Sequence, residues 1–68
     1  MTILDARGLS CPEPVIMIQK AMKTKEVAYA MMVDNHASKE NVTRFAEKAG
    51  YSVTVTESNG EYTLEMRK

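Results

Sequence analysis

The chain has 68 residues, with nine Lys plus Arg against nine Asp plus Glu, one histidine and one cysteine. A chain this short buries only about 60% of the surface its unfolded form exposes, so residues 1–68 are expected to form one small domain with a thin core and no large cleft. The even charge balance excludes the basic field of a strong stand-alone nucleic-acid binder, and one cysteine excludes an internal disulfide, a CxxC pair and a Cys/His zinc set.

No apolar run approaches the ~20 residues of a membrane span, and no charged, apolar and small-residue series opens the chain as a secretory signal would. A cytoplasmic location without membrane contact is therefore expected. The chain closes on Glu65-Met66-Arg67-Lys68 just after a strand pattern, which suits either a stand-alone protein or an excised domain.

Taken in order, Thr2-Ile3-Leu4-Asp5-Ala6 is a short apolar run closed by Gly8, which reads as a first strand. From Pro12 the period changes. Val15, Ile18 and Met22 fall at i, i+3 and i+7 with Gln19, Lys20 and Lys23 turned outward, predicting an amphipathic helix that ends near Lys23 or Thr24. Pro12 suits the first helical position, where a missing N–H costs nothing.

Val27 to Val33 is apolar at every position, which predicts a central strand with both faces covered. Asp34-Asn35 breaks it. Val42, Phe45, Ala46 and Ala49 then mark a second helix stopped by Gly50, with Asn35 and Ser38 both eligible as its N-cap. Tyr51 to Thr56 alternates, Asn59-Gly60 signals a hairpin turn, and Tyr62, Leu64 and Met66 alternate again. The order is βαβαββ. Right-handed crossovers then predict an α/β two-layer sandwich with a four-stranded mixed sheet and both helices on one face.

Cys11 falls where the first strand turns into the first helix. Unpaired amides and the positive dipole end favour a thiolate there. Pro12 and Pro14 carry no N–H, so mainly the amides of Glu13 and Val15 are left to face the sulfur. The Glu13 carboxylate opposes a thiolate and Arg7 offsets it, so a moderately depressed pKa is expected. The prolines stiffen the helix start, and Gly8 supplies a turn that gathers Asp5, Arg7 and Cys11. A lone cysteine is in general often a small buried hydrophobe, but proline flanks at a strand-to-helix junction favour an exposed one.

The run Asp5-Ala6-Arg7-Gly8-Leu9-Ser10-Cys11-Pro12-Glu13-Pro14-Val15 resembles the signature of the TusA/SirA-like sulfur carrier family, in which Asp and Gly-Leu precede a Cys-Pro-x-Pro helix start. The same family's two-layer βαβαββ fold spans the full chain. Val33-Asp34-Asn35 and Lys39 to Phe45 are more similar to the N-terminal domain of YedF-like proteins, associated with selenium metabolism. The resemblance implies that Cys11 accepts sulfane sulfur as a persulfide from a donor such as a cysteine desulfurase and relays it to an acceptor protein, in tRNA thiolation or in sulfur or selenium metabolism. It implies no cofactor and no metal. Arg7 and the helix dipole would stabilise the persulfide anion, and Asp5 would hold the loop through backbone amides, with Gly8, Pro12, Glu13 and Pro14 as further supporting residues. Such a protein is a carrier, with one transfer for each loading. The competing reading is a non-catalytic interaction or regulatory domain with a structural cysteine.

Other residues carry less. His36 lies in a loop expected at the same sheet end as Cys11, where it would serve as a general base or stand solvated. The methionines are spread over four elements, which favours core filling over soft-metal binding. Lys20, Lys23, Lys25, Lys39, Arg44 and Lys48 read as a solvated face, or as a docking surface for an acidic partner or for RNA held in a larger complex. Glu40 and Arg44 are spaced for an i, i+4 pair.

Overall fold

In the computed structural model of the chain, the described residues are 2–10 and 13–68. They form strand β1 (Thr2–Asp5), helix α1 (Glu13–Ala21) with a 3-10 turn at Met22–Thr24, strand β2 (Ala28–Val33), helix α2 (His36–Lys48) and strands β3 (Ser52–Ser58) and β4 (Glu61–Arg67). The sheet order is β1-β2-β4-β3, with β1 parallel to β2 and the other neighbours antiparallel. Both helices cover one face, as the element order predicts.

The period-two patterns explain which side chains meet the helices. Tyr29, Met31 and Val33 of β2 stand in register with Met66, Leu64 and Tyr62 of β4. Ile18 of α1 and Val42 and Ala46 of α2 close over that layer, and apart from the half-buried Tyr62 all of these side chains are fully buried. Burying each large apolar side chain contributes roughly 1.5–3 kcal/mol, so these rows hold the layers together.

β2 is central, but a second layer is not the reason for its continuous apolar run. The face opposite the helices is uncovered by any helix, and there the small Ala28 and Ala30 lie hidden between longer neighbours, Arg67 beside Ala28 and Ile3 and Glu65 beside Ala30. Val27, included in the predicted strand, precedes β2 and is 74% exposed. The first helix also ends differently from its pattern. Its last turn tightens to 3-10 geometry and stops where Lys25 adopts a left-handed conformation and donates its N–H to the Met22 carbonyl.

Asn35 is the N-cap of α2: its backbone is extended and its Oδ1 accepts the Ser38 N–H at 2.8 Å. At the other end the Gly50 and Tyr51 N–H groups return to the Glu47 and Ala46 carbonyls, the reciprocal pattern of a Schellman cap. The β3–β4 turn has positive φ at both Asn59 and Gly60, the combination a two-residue hairpin needs to match strand twist. Among the described residues, no helix is long and apolar enough to cross a membrane.

Candidate functional site

The parallel ladder carries the chain one residue beyond β1. The Ala6 N–H donates to the Met32 carbonyl at 2.8 Å, and the Ala6 side chain is fully buried. The backbone must then leave the sheet, and it does so through Gly8 at φ +82°, a conformation that strains any residue with a Cβ. The Leu9 N–H closes this turn on the Ala6 carbonyl at 3.3 Å.

Two carboxylates fix the turn from opposite sides. Asp5 Oδ1 accepts the Arg7 backbone N–H at 3.1 Å and Arg7 Nε–H at 2.9 Å, while Oδ2 accepts Nη2–H at 2.8 Å. The result is an Asx turn locked by a bidentate guanidinium. Asp34, in the loop after β2, accepts the Gly8 N–H on Oδ2 at 2.7 Å and the Asn35 side-chain amide on Oδ1 at 3.3 Å. The loops after the two parallel strands emerge at one sheet end and are joined there.

Arg7 also reaches across the sheet end. Its Nη1–H donates to Glu61 Oε1 at 3.2 Å, on the first residue of β4. One guanidinium therefore faces two carboxylates, and the trio carries a net negative charge. Arg7 holds the Asp5 carboxyl down from 3.8 to about 2, through its side-chain hydrogen bonds first and its backbone N–H second. The same contacts, led by Asp5, raise the Arg7 pKa. Arg7 thus has both Asp5 and Glu61 as carboxylate partners.

On the helix side, the Glu13 N–H donates to the Ser10 carbonyl at 2.9 Å. That amide thus has a backbone partner in the turn that opens α1. Glu13 is exposed and Pro14 buried, so the first turn of α1 anchors on the proline. Cys11 and Pro12 lie outside the described residues.

His36 is the first residue of α2, and its Nε2 lies 2.8 Å from Glu40 Oε1. Glu40 therefore takes His36 as its i, i+4 partner in place of Arg44. Asp34 and Glu61 were missed by sequence reasoning. Asp34 had a visible cue, as a carboxylate directly after a strand that must run parallel to the first. Glu61 had none without the hairpin register.

Comparison with known proteins adds three findings. The sequence profile of the family described as Sulfurtransferase TusA matches residues 2–68. The crystal structure of a SirA-like protein from Desulfitobacterium hafniense superposes with a TM-score of 0.89 at 32% identity, covering 98% of this chain and 96% of that one. The candidate sulfur carrier protein YrkF of Bacillus subtilis (strain 168) is 30% identical over 61 residues, which are 87% of this chain and 33% of YrkF. The match thus spans about a third of the length of that relative.

Proposed function

The chain belongs to the TusA sulfurtransferase family, and from that premise we propose that it is a sulfur carrier whose cargo is a persulfide on Cys11. The observation that carries the proposal is the latched turn ahead of the Cys11-Pro12-Glu13-Pro14 motif. Asp5 and Asp34 hold consecutive amides, those of Arg7 and Gly8, and so set the direction in which the chain enters the motif.

The exchange is balanced without an external oxidant. The Cys11 thiolate attacks the terminal sulfur of a persulfide on a donor protein such as a cysteine desulfurase, the donor S–S bond breaks, and the donor leaves as a thiolate. A nucleophile on the acceptor protein then attacks the terminal sulfur on Cys11, and the Cys11 thiolate leaves. One cysteine suffices because each step needs only one sulfur on this chain. Residues 1–68 serve as one carrier unit, with Arg7, Asp5 and Gly8 shaping the loop and Pro12 and Pro14 stiffening the helix start. Arg7 acts in this reading as a positioning residue more than as a counter-charge.

The test is the intact mass of wild type and Cys11→Ser after incubation with a cysteine desulfurase and cysteine, without reductant. A gain of one sulfur atom on the wild type alone, reversed by reductant, is expected. No gain, together with a Cys11 thiol slow toward an alkylating reagent, would sink the proposal and leave a structural cysteine in an interaction domain.

A further inference from the structure

We propose that β3 pairs antiparallel with β3 of a second copy of this chain, about a two-fold axis at Val55, joining two sheets into one of eight strands. β3 is an edge of the sheet: among the described residues its only neighbour is β4, so one row of its backbone N–H and C=O groups faces outward along seven residues. Edge strands are commonly guarded by charged side chains, proline or a short length, and Ser52-Val53-Thr54-Val55-Thr56-Glu57-Ser58 has only the single charge of Glu57 near one end.

The strand is close to a palindrome about Val55. Antiparallel pairing centred there sets Ser52 against Ser58, Thr54 against Thr56 and Val55 against itself in the second copy. Hydroxyl pairs of this kind are favourable across strands, and they fall on the face that the helices leave open. Val55 lies on the helix-covered side, opposite the buried Leu64, yet it is 41% exposed. Its counterpart in the second copy would cover it.

The helix above repeats the symmetry in charge. A groove of about 320 Å³ lies between α2 and the β3 edge, lined by Lys39, Glu40, Thr43, Arg44, Glu47 and Val55. Lys39 and Glu47 are each four residues from Thr43, on either side of it and of opposite charge. The Lys39 ammonium sits 5.2 Å from the centre of the Tyr62 ring, and Tyr62 is in register with Glu57, so Lys39 marks the Glu57 end of β3. The two-fold lays that end beside Val53 of the second copy, under the C-terminal half of its α2. Lys39 of each copy therefore faces Glu47 of the other. The β1 edge, and the loop that follows it, stay free at both far ends of the joined sheet.

Light scattering over a concentration series reaching the millimolar range tests the pairing in the wild type and three variants. Mass is expected to rise from one chain to two in the wild type. Val55→Lys, which places like charges on the axis, should remain at one chain. Lys39→Glu and Glu47→Lys should each weaken association roughly tenfold, since each turns two opposite-charge contacts into like-charge ones. Mixing those two variants should restore it, because the mixed pair again has opposite charges at both contacts. Circular dichroism checks that each variant is folded, and Glu47→Lys alters only an exposed side chain. A wild type that stays at one chain throughout, a dimer indifferent to Val55→Lys, or a mixture no tighter than its components would overturn the proposal. So would a β3 edge that pairs only with a strand of a different protein.

Discussion

The two ends of the sheet are held by different chemistry. At the end that carries the loop before Cys11, the contacts are ionic and exposed: Asp5 and Arg7 are about half accessible, and Glu61 likewise. At the other end two tyrosine hydroxyls do the joining. Tyr29 OH donates to the Ala21 carbonyl at 3.0 Å and accepts the Glu26 N–H at 2.9 Å, and Tyr51 OH donates to the Glu26 carbonyl at 2.8 Å. The two rings meet edge to face with centroids 5.7 Å apart. Exposed charges give direction with little stability, whereas buried hydroxyls with complete partners give stability because leaving them unmade is costly. The fold is fastened at one end and the candidate site is aimed at the other.

The largest effect should come from the fastened end. Tyr29→Phe removes the hydroxyl to which the Glu26 N–H donates and one of two donors to the Ala21 carbonyl, which keeps the Thr24 hydroxyl at 2.8 Å, and should cost roughly 1–3 kcal/mol in urea unfolding, with sulfur loading of the folded protein unchanged. A loss of loading at full stability would break the contrast between the ends. Gly8→Ala comes next, at about 1 kcal/mol. Among the described residues, no atom beyond the chain neighbours lies within 4 Å of the added Cβ, so the cost there is backbone strain at φ +82°. Here loading should also slow, because the turn itself is altered.

Asp34→Ala should change stability by less than about 0.5 kcal/mol, since water replaces its carboxylate at the exposed Gly8 amide. The rate of sulfur transfer should nevertheless fall several-fold. Equal loss of stability and rate would show that the latch is structural only. The smallest effect is in pH. Asp5 titrates at about 2 when folded against an ordinary 3.8, so what its pairing adds is complete above the ordinary value and is lost as pH falls from there through 2. A carboxyl titration by NMR should place Asp5 near 2 in the wild type and near its ordinary value in Arg7→Ala. A wild-type midpoint near 3.8 would remove the ion pair from the description of the loop.

The layers were legible because their signals are local. Period-two and period-3.6 runs set the order of elements, and Asn59-Gly60 announced the hairpin by its own backbone preference. The N-cap of α2 was less so, because Asn35 and Ser38 are both capping residues; the structure shows that Ser38 is the donor to Asn35 and is itself buried. The tightening of the last turn of α1 into 3-10 geometry had no cue in a helical period that continues through Met22. The candidate site was legible as a motif and not as a geometry. Arg7 to Glu61 spans 54 positions and Gly8 to Asp34 spans 26, and contacts of that range follow from topology and register, which no local pattern encodes.

β1 has one more consequence. It is four residues long, and its ladder runs to β2 alone, supplemented by the Thr2 hydroxyl on the Glu26 carboxylate. Detaching it leaves the antiparallel β2–β4–β3 unit whole, at the cost of drawing the buried Ala6 out of the core and breaking the Gly8–Asp34 and Arg7–Glu61 contacts. The turn through Gly8 departs with it. Amide hydrogens from Thr2 to Leu9 should therefore exchange with solvent together and before those of β2 and β4. Opening of this kind would reshape the loop before Cys11 without global unfolding.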